Sequence, residues 1–279
     1  MKRFVLTAPP NAEGMIRLYE KDYHYLVRVR RLRPLSCFDA ILPDGTETRV
    51  RVLSTADNIL IGECLEATEQ IQAEERPSPF LRKQQIPPIV LFQSLPKGSK
   101  MDLIVRQAAE GGVSVVAPFE SEYSTVRLNK SFSGKSSAEK VSRWERIVRE
   151  ARQQSGSATE TVVRTPVDFN GLLDYWETIK KQYQRPVGIL LHQEPLAKGS
   201  FHDYLCSCPD FTALAVGPEG GFSPREVSLF EAAGFKPVLM GDTILRTETA
   251  ALYGTAAIRI LLLESESWTQ KESCSSRSL

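Results

Sequence analysis

The sequence predicts an α/β protein in which a small strand-rich domain precedes a larger domain built on a mostly parallel sheet. Two patterns carry this prediction: short segments of alternating polar and apolar residues up to about residue 70, and apolar runs that alternate with helical stretches from residue 86 onward. Strands that alternate with helices are typical of a parallel sheet covered on both faces. A chain of 279 residues is long enough to bury a core in such a pair of domains.

Residues 1–72 make up the predicted strand-rich domain. Residues 49–53 alternate polar and apolar side chains, and a second strand is predicted at residues 59–65. Asp44-Gly45, just before the first of these strands, is a candidate hairpin turn. Short strands joined by tight turns favour a small β domain such as a barrel.

Residues 86–265 form the predicted larger domain, and residues 73–85 before it are polar and punctuated by prolines, which suits a linker. The predicted strands are residues 89–92, 113–117, 187–191, 212–216 and 237–240. The predicted helices are residues 100–110, 138–154, 171–183 and 251–263. The tail, residues 266–279, is rich in Ser, Glu and Lys and is predicted to be disordered.

Composition excludes several classes of protein. The 35 Lys and Arg residues nearly balance the 34 Asp and Glu residues, so the chain is not a generally basic nucleic-acid binder, and any RNA surface must come from local clusters. The 5 cysteines include no paired C-x-x-C motif, so we predict free thiols and no metal site. The start lacks the apolar run of a signal peptide, and no stretch reaches the roughly 18 apolar residues of a membrane helix. We therefore predict a cytoplasmic protein with no membrane partner.

The first candidate ligand loop, residues 217–221, follows the predicted strand 212–216 and reads G-P-E-G-G. Glycines let the backbone approach a ligand closely and adopt positive φ without steric cost. In open α/β sheets, ligands bind beyond the carboxyl ends of the strands. The alternative is a tight turn from strand to helix with Ser223 as the helix cap, although the acidic Glu219 inside the turn weakens that alternative.

A second candidate loop, residues 241–250, follows the last predicted strand. It is dense in hydroxyl and charged residues and contains two branched apolar residues, Ile244 and Leu245. These two could flank a flat ring such as adenine while backbone groups bind the edge of the ring. The alternative is an ordinary long loop in which Thr247 or Thr249 caps the following helix.

Together the two loops resemble those of the SPOUT methyltransferases. G-P-E-G-G at residues 217–221, followed by L-M-G-x-x-I-L-R-T-E-T-A at residues 239–250, is more narrowly similar to the family that makes N3-methyluridine in small-subunit (16S) ribosomal RNA. Further similarities to this family lie in residues 95–101, 108–113 and 151–155 and, for its PUA-like RNA-binding barrel, in Arg3-Phe4, His24 and residues 29–32. The chain departs from the family pattern at Gly111, where a leucine is usual, and at Gly156-Ser157, where an arginine is expected.

The resemblance implies a fold and an activity that the residue patterns alone do not give. It implies a SPOUT α/β-knot domain with a deep trefoil knot, one of the rare exceptions to the rule against threading, preceded by a small PUA-like β-barrel domain. It also implies a homodimer that binds S-adenosyl-L-methionine in the knot. The implied substrate is N3 of a uridine in small-subunit rRNA, either free or within an assembled small ribosomal subunit.

The same resemblance assigns residues to the cofactor. The groups expected to hold S-adenosylmethionine belong to Leu191, His192, Gly217, Pro218, Glu219, Gly220, Gly221, Met240, Gly241, Ile244, Leu245, Thr247, Thr249 and Ala250. For His192, a partly buried surface histidine is an equal alternative.

Arg246 and Glu219 are the expected catalytic residues. Uracil N3 must lose its proton on methylation, and negative charge then spreads to O2 and O4, so the site has to stabilise that charge. The guanidinium of Arg246 can bond two acceptors in a fixed fork; the alternative for Arg246 is an ion pair with Glu248 or Glu219. Glu219 is a candidate base or a carboxylate that orients the ligand, and Glu248 is a weaker candidate.

Basic residues in two places are candidates for binding RNA. They are Arg3, Arg28, Arg30, Arg31, Lys97 and Lys100. On a strand, Arg28 and Arg30 would face one way and Arg31 the other. A solvated charged face is the alternative for each single arginine. Lys97 and Lys100, near the end of the first strand of the larger domain, are better placed to meet RNA at an active site.

Two other functions stay open on the sequence. One is a SPOUT ribose 2′-O-methyltransferase, which the product nucleoside would distinguish. The other is an RNA-binding or ribosome-assembly factor that keeps the fold without catalysis, against which the two intact loops argue. A P-loop hydrolase and a dinucleotide-binding enzyme are excluded, because neither G-x-x-x-x-G-K-S/T nor a strand-linked G-x-G-x-x-G occurs.

Overall fold

The computed structural model describes residues 3–65, 86–128, 135–194 and 199–275, without the side chains of residues 135–136 and 265–275. The predicted linker, residues 73–85, lies outside the described residues. The chain forms two compact units, residues 1–82 with 152–160 and residues 83–151 with 161–279. Residues 152–160, which the sequence assigned to the larger domain, thus group with the first unit.

The first unit contains a sheet of short strands. They are β1 (Phe4–Val5), β2 (Met15–Leu18), β3 (Cys37–Ile41), β4 (Glu47–Ser54) and β5 (Leu60–Leu65). Their order in the sheet is β1-β3-β4-β5-β2, with β1 parallel to β3 and the other neighbours antiparallel. The predicted strand-rich character of the amino-terminal part is confirmed.

The predicted hairpin at Asp44-Gly45 joins β3 to β4. Gly45 has a φ of +86°, and Asp44 Oδ1 accepts a hydrogen bond from the Thr46 amide at 2.9 Å. A glycine tolerates this left-handed conformation without a steric penalty, so the sequence sets the turn. Phe38 on β3 and Val50 on β4 are fully buried and form part of the core of this unit.

The basic segment after β2 is helical, so the strand assumed for Arg28, Arg30 and Arg31 is wrong. The elements there are α1 (Glu20–Tyr23) and a π-helix (His24–Val29). Tyr23 and Leu26 are buried and lie three residues apart, which is a helical rather than an alternating apolar pattern. Arg31 has a left-handed φ of +57°, so no extended backbone carries these arginines to alternate faces.

The second unit contains a parallel sheet. Its strands are β6 (Ile89–Ser94), β7 (Val115–Glu120), β8 (Val162–Val163), β9 (Val167–Asp168), β10 (Pro186–Leu191), β11 (Phe211–Val216) and β12 (Phe235–Val238). Their order is β12-β10-β11-β6-β7-β8, β9 also pairs with β7, and each of these pairings is parallel. The predicted α/β class with a largely parallel sheet is confirmed.

Helices connect these strands, and one more helix follows the last strand. They are α2 (Lys100–Glu110), α3 (Lys135–Ser155), α4 (Phe169–Ile179), α5 (Phe201–Leu205), α6 (Pro224–Ala232) and α7 (Thr247–Ser275). The backbone of α7 stays helical to Ser275 and so enters the segment 266–279, for which composition predicts disorder. Within the described residues, no helix is both long and apolar enough to cross a membrane.

The start of α6 follows the predicted capping pattern. Ser223 Oγ accepts a hydrogen bond from the Glu226 amide at 3.2 Å, and Glu226 Oε2 accepts one from the Ser223 amide at 3.0 Å. Pro224 occupies the first helical position, where the missing amide hydrogen costs nothing. This reciprocal pair fixes where the helix begins and therefore how long the preceding loop is.

The parallel sheet carries an apolar layer on each face. Along β6, Ile89 and Leu91 pack into one layer, whereas Val90 and Phe92 pack into the other, as alternation along a strand requires. All four side chains are at most 1% exposed. A strand buried on both faces favours apolar side chains on each, which explains the continuous apolar run over residues 89–92.

Phe230 on α6 lies at the centre of an aromatic cluster in one of these layers. The rings of Phe235, Phe169 and Phe222 lie 4.9, 5.0 and 5.2 Å from it, each edge to face. Aromatic pairs favour this geometry, and the Phe230 side chain is fully buried. The cluster fixes α6 against the sheet.

We expect Phe230→Ala to lower the free energy of unfolding by about 3–5 kcal/mol, because it leaves a cavity inside a closely packed cluster. Urea unfolding followed by tryptophan fluorescence measures this change. The control is Val162→Ala, at a side chain 51% exposed, which should change stability by no more than about 0.5 kcal/mol. Equal effects of the two substitutions would contradict the central place of Phe230 in the core.

Candidate active site

A cavity of about 250 Å³ opens at the carboxyl ends of three neighbouring strands, β10, β11 and β12. Two connections form most of its wall: the first loop, here residues 217–223 between β11 and α6, and the second loop, here residues 239–246 between β12 and α7. The predicted second loop, residues 241–250, is shorter at its end because α7 begins at Thr247 and not at Ala251. Open α/β sheets hold their ligands at this edge.

Most of the residues expected to hold a cofactor lie together in this cavity. Those that line it are Leu191, His192, Gly217, Pro218, Glu219, Gly221, Met240, Ile244, Leu245, Thr247 and Ala250. Arg246, expected to be catalytic, lines it as well. Gly220, Gly241 and Thr249 are not lining residues.

Local geometry explains these three exceptions. A Cβ on Gly220 would lie 3.1 Å from the Cβ of Tyr123, so Gly220 packs against Tyr123. Gly241 has a φ of +104° and serves the turn out of β12. Thr249 lies on α7, where Thr247 and Ala250, three residues apart, share the face toward the cavity.

Sequence reasoning missed several lining residues. They are Gln193, Val216, Phe222, Leu239 and Thr243. The rule that ligands bind beyond strand ends could have found Gln193 and Leu239, which follow β10 and β12 closely. Val216 and Phe222 are also buried in the core, so no signal in the sequence separates their two roles.

The first loop folds tightly on itself. The Gly221 amide donates to the carbonyl oxygen of Pro218 at 3.0 Å, and Gly221 has a φ of +71°. A Cβ on Gly217 would meet the backbone of Gly221 at 3.2 Å. Both positions line the cavity, and glycine there allows the loop to close.

Lys100 at the start of α2 bridges two carboxylates. Its Nζ lies 2.7 Å from Glu219 Oε1 and 3.5 Å from Glu248 Oε2, and Glu219 Oε1 also accepts a hydrogen bond from the Lys97 amide at 3.2 Å. The predicted RNA contact Lys100 is thus already engaged by acidic side chains, which connect α2, the first loop and α7.

This bridge shifts the pKa values of both partners. Burial alone would raise the pKa of Glu219, but the hydrogen bonds from Lys100 and from backbone amides outweigh it, so the net pKa is lowered. The hydrogen bond to Glu219 raises the pKa of Lys100. Glu219 is therefore held ionised and is a poor proton acceptor, and Lys100 stays charged.

Arg246 is exposed on the rim of the cavity. Within the described residues it pairs with neither Glu219 nor Glu248, both of which contact Lys100 instead. Its guanidinium is thus available to a ligand. His192 also lines the cavity, and its Nδ1 accepts a hydrogen bond from the Glu194 amide at 3.1 Å.

A buried chain of hydrogen bonds ties the two loops together. Gln93 Nε2 donates to Thr247 Oγ1 at 3.0 Å, and Thr247 Oγ1 donates to the carbonyl oxygen of Gly217 at 2.6 Å. Gln93 is fully buried at the end of β6. No sequence pattern indicates Gln93, because a lone polar residue after an apolar run is not distinctive.

The remaining RNA candidates of the amino-terminal part belong to the first unit. Arg3 pairs with Glu47 at 3.4 Å, Arg28 and Arg31 are exposed, and Arg30 is half-buried.

Residues 82–259 match the family model of the RNA methyltransferase domain, which covers more than half of the chain and includes both loops of the cavity. The chain belongs to this RNA methyltransferase family. The cavity at the strand ends is thus part of the domain that defines the family.

Individual relatives resemble the chain over most of its length. The ribosomal RNA small subunit methyltransferase E of Synechocystis sp. is 30% identical over 93% of this chain and 78% of that protein. The ribosomal RNA small subunit methyltransferase E 2 of Borreliella burgdorferi is 28% identical over 94% of this chain and 98% of that protein. A solved structure of a ribosomal RNA small subunit methyltransferase E from Neisseria gonorrhoeae, bound to S-adenosyl methionine, is 26% identical and superposes with a TM-score of 0.70, covering 94% of this chain and 98% of that chain.

We expect Lys100→Met to raise the pKa of Glu219, because burial then acts without its main opposing hydrogen bond. In the unaltered protein the pKa of Glu219 is lowered, so the ion pair stabilises the fold fully at pH values above the usual pKa of a glutamate. This stabilisation is lost as the pH falls through the lowered pKa. Carboxyl ¹³C NMR titration of Glu219 measures the shift. Lys97→Met is the matched control, since Lys97 contacts Glu219 through its backbone amide. Equal shifts in both variants would contradict the assignment of the effect to the Lys100 ammonium.

Proposed function

We propose that this protein transfers a methyl group from S-adenosylmethionine to N3 of a uridine in small-subunit (16S) ribosomal RNA. The observation that carries the proposal is the cavity built from the G-P-E-G-G and L-R-T-E-T-A segments in a chain of the RNA methyltransferase family. The names of the relatives support small-subunit rRNA as the substrate. The resemblance of residues 217–221 and 239–250 to the N3-methyluridine family supports the position of the methyl group.

The cavity suits S-adenosylmethionine in shape and chemistry. Ile244 is 81% exposed and, with Leu245 and Leu191, offers an apolar surface for a flat adenine. The glycines of the first loop let backbone groups reach the polar parts of the ligand. The relative from Neisseria gonorrhoeae, solved with this cofactor, supports the same choice. When bound, S-adenosylmethionine supplies an electrophilic methyl group on a sulfonium centre.

The chain's own residues then have to orient the uracil and stabilise its charge. Arg246 on the rim can donate two hydrogen bonds to one carbonyl oxygen of the ring, O2 or O4, as N3 loses its proton, which leaves the approach to N3 open. Glu219, held ionised by Lys100, fits the role of an orienting carboxylate better than that of a base. Transfer leaves S-adenosylhomocysteine as the neutral thioether, and the N3 proton passes to solvent. Because uracil is stacked within folded rRNA, the base has to turn out of its stack to reach the cavity.

We extend the proposal to the finer features of the fold. The order β12-β10-β11 and the two loops at its edge support a SPOUT α/β-knot domain with a deep trefoil knot at residues 86–265. The five-stranded sheet supports a PUA-like barrel at residues 1–72 that carries Arg3, Arg28, Arg30 and Arg31 toward RNA. Ribosomal RNA as the substrate supports a cytoplasmic location.

A homodimer is part of the same proposal. On α7, the side chains of Leu252, Tyr253 and Ile260 are 38%, 53% and 53% exposed, and Leu103 on the neighbouring α2 is 41% exposed. Large apolar side chains grouped on two adjacent helices are costly to leave in water. A second copy of the chain that packs against them would cover this face, and it would bring a second cavity into the assembly.

The test of the reaction is transfer of labelled methyl to small ribosomal subunits that lack the modification, with the product nucleoside identified by mass spectrometry. We expect N3-methyluridine, and methyl on a ribose would overturn the substrate assignment. Arg246→Ala should lower turnover by about 100–1000-fold and leave cofactor affinity within about threefold, because it removes charge stabilisation that matters only in the transition state. Arg149→Ala, at an exposed arginine on α3, serves as the control. Equal losses of turnover and cofactor affinity in Arg246→Ala would mean that Arg246 shapes the cavity.

The test of the dimer is Ile260→Asp, which places a charge in the proposed interface and should convert the dimer into a monomer because a buried unpaired charge is costly. Size-exclusion chromatography with light scattering measures the mass. Val162→Asp, at an exposed side chain on β8, is the control and should stay dimeric. Monomeric wild-type protein at micromolar concentration would overturn this part of the proposal.

A further inference from the structure

Gln93 is a buried polar residue that follows the apolar run of β6. It lies near the end of β6, in register with Val216, the last residue of β11 before the first loop. Its neighbours Leu91 and Phe92 are core residues, and the Gln93 side chain is itself fully buried. A buried amide is tolerated only where hydrogen bonds compensate for lost hydration.

The hydrogen bonds of the Gln93 amide have a defined order of donors and acceptors. Its Nε2 donates to the carbonyl oxygen of Ser94 at 2.9 Å and to Thr247 Oγ1 at 3.0 Å. The Ser94 carbonyl can only accept, so it fixes which end of the amide is the nitrogen. The Thr247 hydroxyl thereby receives a hydrogen from Gln93, and its own hydrogen goes to the carbonyl oxygen of Gly217 at 2.6 Å. One relay thus links β6, the end of the second loop and the start of the first loop.

In the part of the chain that the structure describes, the same side chain has one unsatisfied hydrogen-bond acceptor. Within the described residues, Gln93 Oε1 is buried and has no hydrogen-bond partner. A leucine would fill this space without that cost, so stability alone does not account for a glutamine here. Local rules are broken in this way mostly at functional sites.

We propose that Gln93 and Thr247 are a positioning pair that sets the spacing of the two loops, so that cofactor affinity depends on the relay as a unit. The inference rests on the proposed function, in which the cavity takes S-adenosylmethionine. Thr247 is both the first residue of α7 and a lining residue, and Gly217 is the first residue of the first loop. Breaking the relay at either member releases the same link, and the two walls of the cavity then move independently.

The experiment measures the dissociation constant of S-adenosylmethionine by calorimetry on the full-length protein, with melting temperatures recorded in parallel. Gln93→Leu and Thr247→Val should each weaken binding about tenfold, the size of one buried hydrogen bond. The double variant should also weaken binding about tenfold, whereas independent effects would multiply to about a hundredfold. Thr247→Ser keeps the hydroxyl and should bind S-adenosylmethionine at least about fivefold more tightly than Thr247→Val does.

Ser94→Ala is the matched control. Ser94 is fully buried on the same strand, but its Oγ bonds Ser121 and Ser124 and takes no part in the relay. It should lower the melting temperature and leave the cofactor affinity close to that of the wild type. A similar loss of affinity in this control would mean that the loops respond to any weakening of the sheet edge, which overturns the inference.

The outcomes separate the two proposals. Wild-type protein that binds no S-adenosylmethionine overturns the proposed function and the inference together. Two results overturn the inference alone, provided that the wild type binds the cofactor. One is a loss of affinity in the double variant equal to the product of the single losses. The other is a change in melting temperature with no change in affinity in any variant. If Gln93→Leu does not fold, the comparison of Thr247→Val with Thr247→Ser decides, because equal affinities in these two contradict a role for the hydroxyl.

Discussion

The parallel strands of the second unit end side by side. Their register sets where the loops that line the cavity begin. Leu191 lies beside Val238, and Val216 lies beside Gln93. Because all of these strands run the same way, the loops that follow them emerge at one edge of the sheet. The apolar layers on both faces hold the strands in that register, since a slip by one residue would exchange the faces of every side chain. The chemistry of the site is therefore a consequence of core packing some distance below it.

The same edge carries a concentration of buried polar groups that the core does not need. Beside Gln93, the hydroxyl of Ser94 lies 2.9 Å from that of Ser121 and 2.9 Å from that of Ser124. In a low-dielectric interior such bonds are strong when made and costly when missing. They fix the backbone at the ends of β6 and β7 and so stabilise the sheet beside β11.

Much of this arrangement could be predicted from local patterns. Apolar runs gave the strands, Asp44-Gly45 gave the hairpin, and Ser223 with its neighbours gave the start of α6. These features depend on residues that are close in sequence. The π-helix of the basic segment was missed, because arginines dominated the pattern and hid the helical spacing of Tyr23 and Leu26. The bridge from Lys100 to Glu219 joins residues 119 apart, and the bond from Gln93 to Thr247 joins residues 154 apart, so no local rule could reveal either.

The charged groups around the cavity have a consequence for how an RNA would approach it. Lys100 is compensated by Glu219 and Glu248, so among the described residues that line the cavity Arg246 is the cation without an ion pair. Counterion release from phosphates requires uncompensated cations, and this rim offers few. The cavity entrance thus contributes little salt-dependent attraction and leaves long-range capture of the polyanion to other surfaces. Discrimination between RNA sites at the cavity entrance then depends on short-range contacts, which change little with ionic strength.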